Sequence, residues 1–222
     1  GMTRGSTVST LLLNTPPMLE AHYGIPMCGA VIHAINTRLD PATIAFQLDH
    51  ANSEILFYDR ELGGIVQEVL SQCQVKPHLI EFMDSEYDYQ EAPVDLGADD
   101  YEVFLNKGDS NYQWLMPENE WDAISVGYTS GTTGDPKGVV SHHRGAYLLA
   151  QGNAMVASMP KHSVYLWTLP MFHCNGWCFP WTMSAIIGTH VCLRQVRAEP
   201  IWQSIKTHKI SHLCGAPIVM SV

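Results

Sequence analysis

The sequence predicts an α/β fold, with largely parallel sheets flanked by helices. Three observations carry that expectation. Short β-rich runs alternate with amphipathic stretches along most of the chain. Thr15-Pro16 and Asp40-Pro41 each set a capping side chain before a proline, which marks the start of a helix. The length of 222 residues, 46% of them hydrophobic, suffices for a real core in one or two domains. Strand–helix alternation of this kind argues a parallel sheet covered by helices.

In chain order, residues 8–13 read as a buried strand and Thr15 as the cap of the first helix. Residues 30–35 form the next strand, followed by a helix capped at Asp40 that carries Ile44, Phe46 and Leu48. Residues 54–58 are a third strand, 62–70 a helix and 79–82 a fourth strand. Residues 84–100 break the pattern. They are acidic, hold Pro93 and Gly97, and read as a solvated connection. Residues 101–105 suit a short helix, and 123–128 a strand. Ser141 is placed to cap a helix over 143–157. Strands then follow at 164–169, 189–193 and 212–215, with helices at 177–187 and 201–208. This divides the chain into an N-terminal α/β lobe (1–83), an acidic connection (84–120) and a second lobe (121–222).

Composition excludes several classes. The net charge is −10, from 22 acidic and 12 basic residues, which opposes nucleic acid and anionic membrane as partners. No apolar run is long enough to span a bilayer, so stable membrane insertion is not expected. Six cysteines stand among apolar residues with no Cys-x-x-Cys pair, as expected of buried free thiols in the cytoplasm. His173, Cys174 and Cys178 fit no standard zinc spacing and lack a nearby fourth ligand, so no metal site is assigned. The adjacent His142 and His143 point to different faces of a helix, which suits a solvated helix start or packing. Gly1 before Met2 reads as a cloning remnant, with the encoded chain expected to begin at Met2.

The chemistry concentrates in Tyr128-Thr129-Ser130-Gly131-Thr132-Thr133-Gly134-Asp135-Pro136-Lys137-Gly138. Glycines let backbone N–H groups turn into an anion-binding concavity. Thr and Ser hydroxyls add donors, and Lys137 adds a charge, with Arg144 near enough in sequence to help. Phosphate oxygens need that combination. The spacing is not that of a Walker A loop, which opposes a phosphate-loop kinase or ATPase. A strand before the loop and a helix after it would suit phosphate.

This run resembles the phosphate-binding loop of the adenylate-forming, or acyl-activating, superfamily. Asn36-Thr37-Arg38-Leu39 is similar to the family's Asn-x-Arg-Leu segment. The run from Pro170 to Trp177 looks like its acyl-pocket segment, and Gly215-Ala216-Pro217 like a later pocket strand end. The runs around His142, Tyr165 and His173 resemble a bacterial branch of medium-chain acyl–coenzyme A and 3-methylmercaptopropionate–coenzyme A ligases most closely. Two positions depart from the pattern: Leu13 stands for a Pro, and Gly127 for an Asn.

The resemblance implies part of the large N-terminal domain of an acyl–coenzyme A ligase. Such an enzyme activates a short- or medium-chain carboxylic acid with ATP and Mg²⁺, then passes the acyl group to coenzyme A. Thr129, Ser130, Thr132 and Thr133 would donate to phosphates, and Gly131, Gly134 and Gly138 would permit close approach. Lys137 would neutralise the leaving pyrophosphate. His173 would sit beside the carboxylate, with Trp177, Gly215, Ala216 and Pro217 lining the acyl site. Trp177, Phe179 and Trp181 suit either a tunnel wall or plain core. The resemblance also implies that the adenine, ribose and lid-lysine motifs lie beyond these residues. On that expectation the isolated chain is inactive and self-associates as a homo-oligomer. A non-catalytic nucleotide- or partner-binding module is the other reading.

Overall fold

The computed structural model describes residues 2–129, 135–217 and 219. Its main sheet has seven strands in the order β5-β4-β3-β1-β2-β6-β7. These are β1 (Thr7–Leu11), β2 (Val31–Ala34), β3 (Ser53–Asp59), β4 (His78–Phe82), β5 (Asp99–Asp100), β6 (Ala123–Tyr128) and β7 (Gly138–His142). All pairs are parallel except β6–β7, which is antiparallel. A second, wholly parallel sheet holds β8 (Val164–Leu166), β9 (Thr189–Val191) and β10 (His212–Leu213), in the order β10-β8-β9.

Helices flank these sheets, as strand–helix alternation requires. They are α1 (Pro16–Met27), α2 (Pro41–His50), α3 (Gly63–Gln72), α4 (Tyr101–Asn106), α5 (His143–Val156), α6 (Phe179–Ala185) and α7 (Ala198–His208). Both proline-marked helix starts are present. Asp40 accepts from the Thr43 amide as a true side-chain cap, while the Thr15 hydroxyl instead donates back to the Leu13 carbonyl.

Period-two alternation along the strands sends side chains to two cores. On β3, Leu56 and Tyr58 face α2 and α3, packing with Ile44, Leu48, Val66 and Val69. Phe57 points the other way, into a core shared with Val8, Ile32, Met18, Tyr165, Trp167, Phe179 and Met183. That second core lies between the two sheets and unites them. Strands from both expected lobes share the seven-stranded sheet, since β6 pairs with β2.

Three elements differ from expectation. Residues 138–142 form a strand, not a lead-in to a helix, so the glycine-rich loop joins two antiparallel strands. Its β-branched pair, Val139 and Val140, favours a strand even though both side chains are exposed. The cap of α5 is accordingly His142, whose Nδ1 accepts from the Gly145 amide at 2.8 Å, and not Ser141.

The helix expected from residue 177 begins only at Phe179, with Pro180 in its first turn. Before it, Cys174, Asn175, Gly176, Trp177 and Cys178 all have φ between 44° and 62°. This left-handed turn cannot continue into a right-handed helix. Gly176 sits at its centre, where a Cβ would lie 2.9 Å from the Trp167 ring.

The acidic stretch is not wholly solvated. It contributes β5, and its Tyr87 and Tyr89 stack around the Arg194 guanidinium. Arg194 also pairs with fully buried Asp59 at 2.7 Å and with Glu61 at 2.8 Å. The surplus of acid thus has a specific cationic partner on the segment after β9.

Candidate functional site

The four motifs singled out in the sequence all follow the carboxyl ends of parallel strands. Asn36 to Leu39 follows β2, the Thr129–Gly138 run follows β6, Pro170 to Trp177 follows β8, and Gly215 follows β10. Open parallel α/β sheets bind ligands at these ends, where loops converge and backbone donors are free. Segments far apart in sequence thus share the same kind of position, just beyond the end of a parallel strand.

The neck of the glycine-rich loop is clasped by two hydrogen bonds. The Thr129 amide donates to the Lys137 carbonyl at 3.1 Å, and the Lys137 amide donates to the Thr129 hydroxyl at 3.2 Å. Thr129 and Lys137 are therefore opposed across the loop mouth. The Lys137 side chain is exposed and has no ion pair among the described residues. A solvated ammonium held at a fixed backbone point can meet an incoming anion. Ser130, Gly131, Thr132, Thr133 and Gly134 lie outside the described residues. Gly138 sits opposite Tyr128 in the β6–β7 ladder, and a Cβ there would meet the Tyr128 ring at 3.5 Å. Arg144 is already engaged, bound to Glu120 at 2.6 Å and lying over Trp121. It is not a free partner for Lys137.

The Pro170-to-Trp177 segment is fixed by a residue that sequence reasoning passed over. The Asn14 amide group donates to the Trp167 and Leu169 carbonyls at 2.8 and 2.9 Å and accepts from the Met171 amide at 2.9 Å. One buried side chain at the end of β1 thus ties down the backbone leading out of β8. The only sequence signal was its place before the Thr-Pro helix start. Thr168 adds a second tie, donating to the Cys214 carbonyl at 2.7 Å, which brings Gly215 beside the end of β8. A cavity of about 280 Å³ opens here, bordered by Asn14, Arg38, Thr168, Pro170 and Phe172. It joins the Asn-Thr-Arg-Leu segment to the Pro170 segment.

The left-handed turn holding His173 and Trp177 packs against β6 and α5, which sets it beside the strand that feeds the loop. Asn153 of α5 locks it by donating to the Trp177 carbonyl at 2.7 Å. His173 and the half-exposed Trp177 lie at the surface of this turn. Phe179 and Trp181 do not share that face. Phe179 stacks on Tyr165 in the core, and Trp181 Nε1 donates to the His22 carbonyl. Of the three aromatics, the turn presents Trp177 alone. Ala216 and Pro217 follow Gly215 at the end of the described chain, and Gly215 and Ala216 are exposed.

Three imidazoles are held neutral, those of His22 and His33 buried and that of His190 partly so. His22, His33 and His190 are each pushed down to about 4, in every case chiefly by burial. His33 shares a hydrogen bond with Ser9, and His190 accepts from Trp167 Nε1. All six cysteines are free, as expected, but they are not uniformly buried: Cys174 is exposed on the turn. Burial raises the Cys178 thiol to about 11. No cluster of three or more metal-ligating side chains exists among the described residues, and no described helix is long and apolar enough to cross a membrane.

Comparison with known proteins identifies the family of the chain. The model of the AMP-binding enzyme family matches residues 1–222. The acetate/butyrate–CoA ligase AAE7 of Arabidopsis thaliana, named peroxisomal, is 46% identical over 98% of this chain and 40% of its own length. The 2-methylpropanoate–CoA ligase CCL4 of Humulus lupulus is 41% identical over 100% of the chain and 41% of its own length. The anthranilate CoA ligase AuaEII, solved with anthranoyl-AMP, superposes with a TM-score of 0.84 at 21% identity, over 99% of this chain and 41% of that one. The chain thus spans about two-fifths of the length of these relatives. The chain belongs to the AMP-binding enzyme family.

Proposed function

We propose that these residues form the phosphate-gripping and acyl-binding part of an acyl–coenzyme A ligase. It joins a short- or medium-chain carboxylic acid to the α-phosphorus of ATP, releasing pyrophosphate, and passes the acyl group to coenzyme A. The observation that carries the reading is the loop neck. Thr129 and Lys137 are clasped at the carboxyl end of β6, with the His173 turn packed on the same strand. Carboxylate and triphosphate would thereby meet on one side of one strand, and bringing two anions together is most of the barrier. The names of the relatives, with acetate, butyrate and 2-methylpropanoate as acids, support a small acyl group.

In this reading Lys137 neutralises charge growing on pyrophosphate. Thr129, and by family likeness Ser130, Thr132 and Thr133, donate to phosphate oxygens, while Gly131, Gly134 and Gly138 admit the nucleotide closely. His173 positions the carboxylate, and Trp177 with Gly215, Ala216 and Pro217 borders the acyl chain. Mg²⁺ arrives on the nucleotide, as is usual for phosphoryl chemistry. A cytoplasmic setting and self-association belong to the same proposal, as does the absence of a nucleic-acid partner.

Pyrophosphate exchange into ATP, run with acids of increasing length on a polypeptide continuing through the length of the relatives, tests the proposal. Exchange dependent on acetate- to octanoate-sized acids is expected. ATP hydrolysis with no acid dependence would contradict it.

A further inference from the structure

His50 ends α2, far in sequence from the loop, and shares a hydrogen bond with the Tyr128 hydroxyl at 2.7 Å. The two rings also meet edge to face, with centroids 5.6 Å apart. Phe46, one helical turn earlier, stacks on the His50 ring at 5.6 Å and so limits its rotation. The Tyr128 ring is held from below as well, tilted 5.0 Å from the ring of buried His33. His33 is anchored in turn through Ser9 at 2.8 Å, and Ser9 reaches Ser53 at 2.5 Å. Tyr128 is thus gripped by side chains from β2 and α2 as well as by its own strand.

What Tyr128 touches gives this grip its meaning. Tyr128 is the last residue of β6, immediately before Thr129, and lies opposite Gly138 in the ladder. Its ring lies beside Gly138, where a Cβ would be in ordinary van der Waals contact with it at 3.5 Å. Thr129 and Lys137, the two residues of the loop clasp, are the next residues inward on each side. A rotation of the Tyr128 ring therefore shifts both sides of the neck, and the hydrogen bond to His50 opposes that rotation.

We propose that His50 is a positioning residue for the phosphate loop, acting through Tyr128 to hold Thr129 and Lys137 in register. The ligand side of this inference rests on the reading of the loop as a phosphate site. The positional side does not.

The test uses the 222-residue chain and two separate readouts. The first is amide hydrogen exchange at Thr129 and Lys137, with Val8 and Leu11 of β1 as internal controls. The second is titration with inorganic pyrophosphate, followed on the Lys137 amide resonance. His50→Ala and Tyr128→Phe should each speed exchange at Thr129 and Lys137 by about 10-fold, the scale for one hydrogen bond of about 1.4 kcal/mol. The β1 amides should not change. His50→Gln, which keeps a side-chain hydrogen-bonding group near Tyr128, should recover much of the protection. Pyrophosphate affinity should fall several-fold in His50→Ala and return in His50→Gln.

Unchanged exchange at Thr129 and Lys137 in both loss variants overturns the inference. Equal acceleration at β1 does so too, because His50 would then serve only global stability. If His50→Ala does not fold, Tyr128→Phe alone decides, since it removes one hydroxyl and keeps the ring. A wild-type chain that ignores pyrophosphate but shows the exchange contrasts overturns the phosphate reading and leaves the positioning role supported.

Discussion

At the scale of single residues, two side chains carry unequal kinds of weight. The Lys137 side chain is exposed and forms no ion pair among the described residues, so its truncation tests the proposed chemistry apart from the fold. Lys137→Ala is expected to lower acid-dependent pyrophosphate exchange by roughly 10²-fold or more, the scale for one preorganised electrostatic contact. Its unfolding midpoint should not move. Asn14 is the reverse case. Its three hydrogen bonds are buried and span more than 150 positions of sequence. Asn14→Ala leaves carbonyls and an amide unpartnered inside the core, at a cost of about 2–4 kcal/mol. Urea unfolding reads that loss directly. A midpoint within error of the wild type would show that water replaces the side chain.

At the scale of elements, the left-handed turn and the Arg194 junction are held in place by different physics. Five successive residues with positive φ are individually unfavourable, at roughly 1–2 kcal/mol for a residue with a side chain. The turn persists because Asn14 holds the chain entering it and Asn153 holds Trp177 within it. The Arg194 junction works differently. Asp59 is fully buried and Arg194 nearly so, and the pair is enclosed by Tyr87 and Tyr89. Removing one partner strands the other charge. Arg194→Ala is therefore expected to destabilise by about 3–5 kcal/mol, while Arg144→Ala, which loses an exposed pair, should cost well under 1. Parallel denaturant curves compare the two, and similar losses would refute the distinction.

At the scale of the whole molecule, acid should loosen the chain in a defined window. His22, His33 and His190 have folded values near 4, against an ordinary 6.5, because burial disfavours the imidazolium. The unfolded chain therefore binds more protons than the folded one between these values. Stability from this source is complete above about pH 6.5 and is lost progressively down to about pH 4. Thermal melts from pH 8 to pH 4 should fall mainly across that interval, and a flat profile would contradict the burial of these rings. Buried His22 and partly buried His190 have Trp181 and Trp167 as neighbours, so tryptophan fluorescence should follow the same midpoint.

A further expectation concerns the 222 residues alone. Phosphate contacts made by an exposed loop gain little net, because water competes for them. ATP affinity in the millimolar range or weaker, about −4 kcal/mol, is expected from calorimetry. The exposed Leu148, Leu149, Met155 and Val156 of α5, with Val139 and Val140 of β7, should drive self-association on a sizing column. A micromolar constant or a monomeric profile would set these expectations aside.

The sequence alone determined the strand–helix alternation, the proline-marked helix starts and the motif of the phosphate loop. These are local: period-two patterning, a fixed φ at proline and glycine-rich spacing act within a few residues. It did not determine that residues 138–142 pair as a strand. That choice depends on an edge of β6 that exists only in the assembled sheet. Nor did it show that an acidic stretch would close over Arg194, because attraction between distant charges has no sequence period. The left-handed turn was hidden for the same reason: Asn14 and Asn153, from other elements, offset a strain that local preference opposes. His50 carried no signal at all, since its partner Tyr128 lies 78 positions away. The loop motif that carries the proposed phosphate role was legible in the sequence. Tertiary structure alone sets the turn after Pro170, which follows a strand of the smaller sheet, against β6 of the larger one, because only packing brings distant strands together.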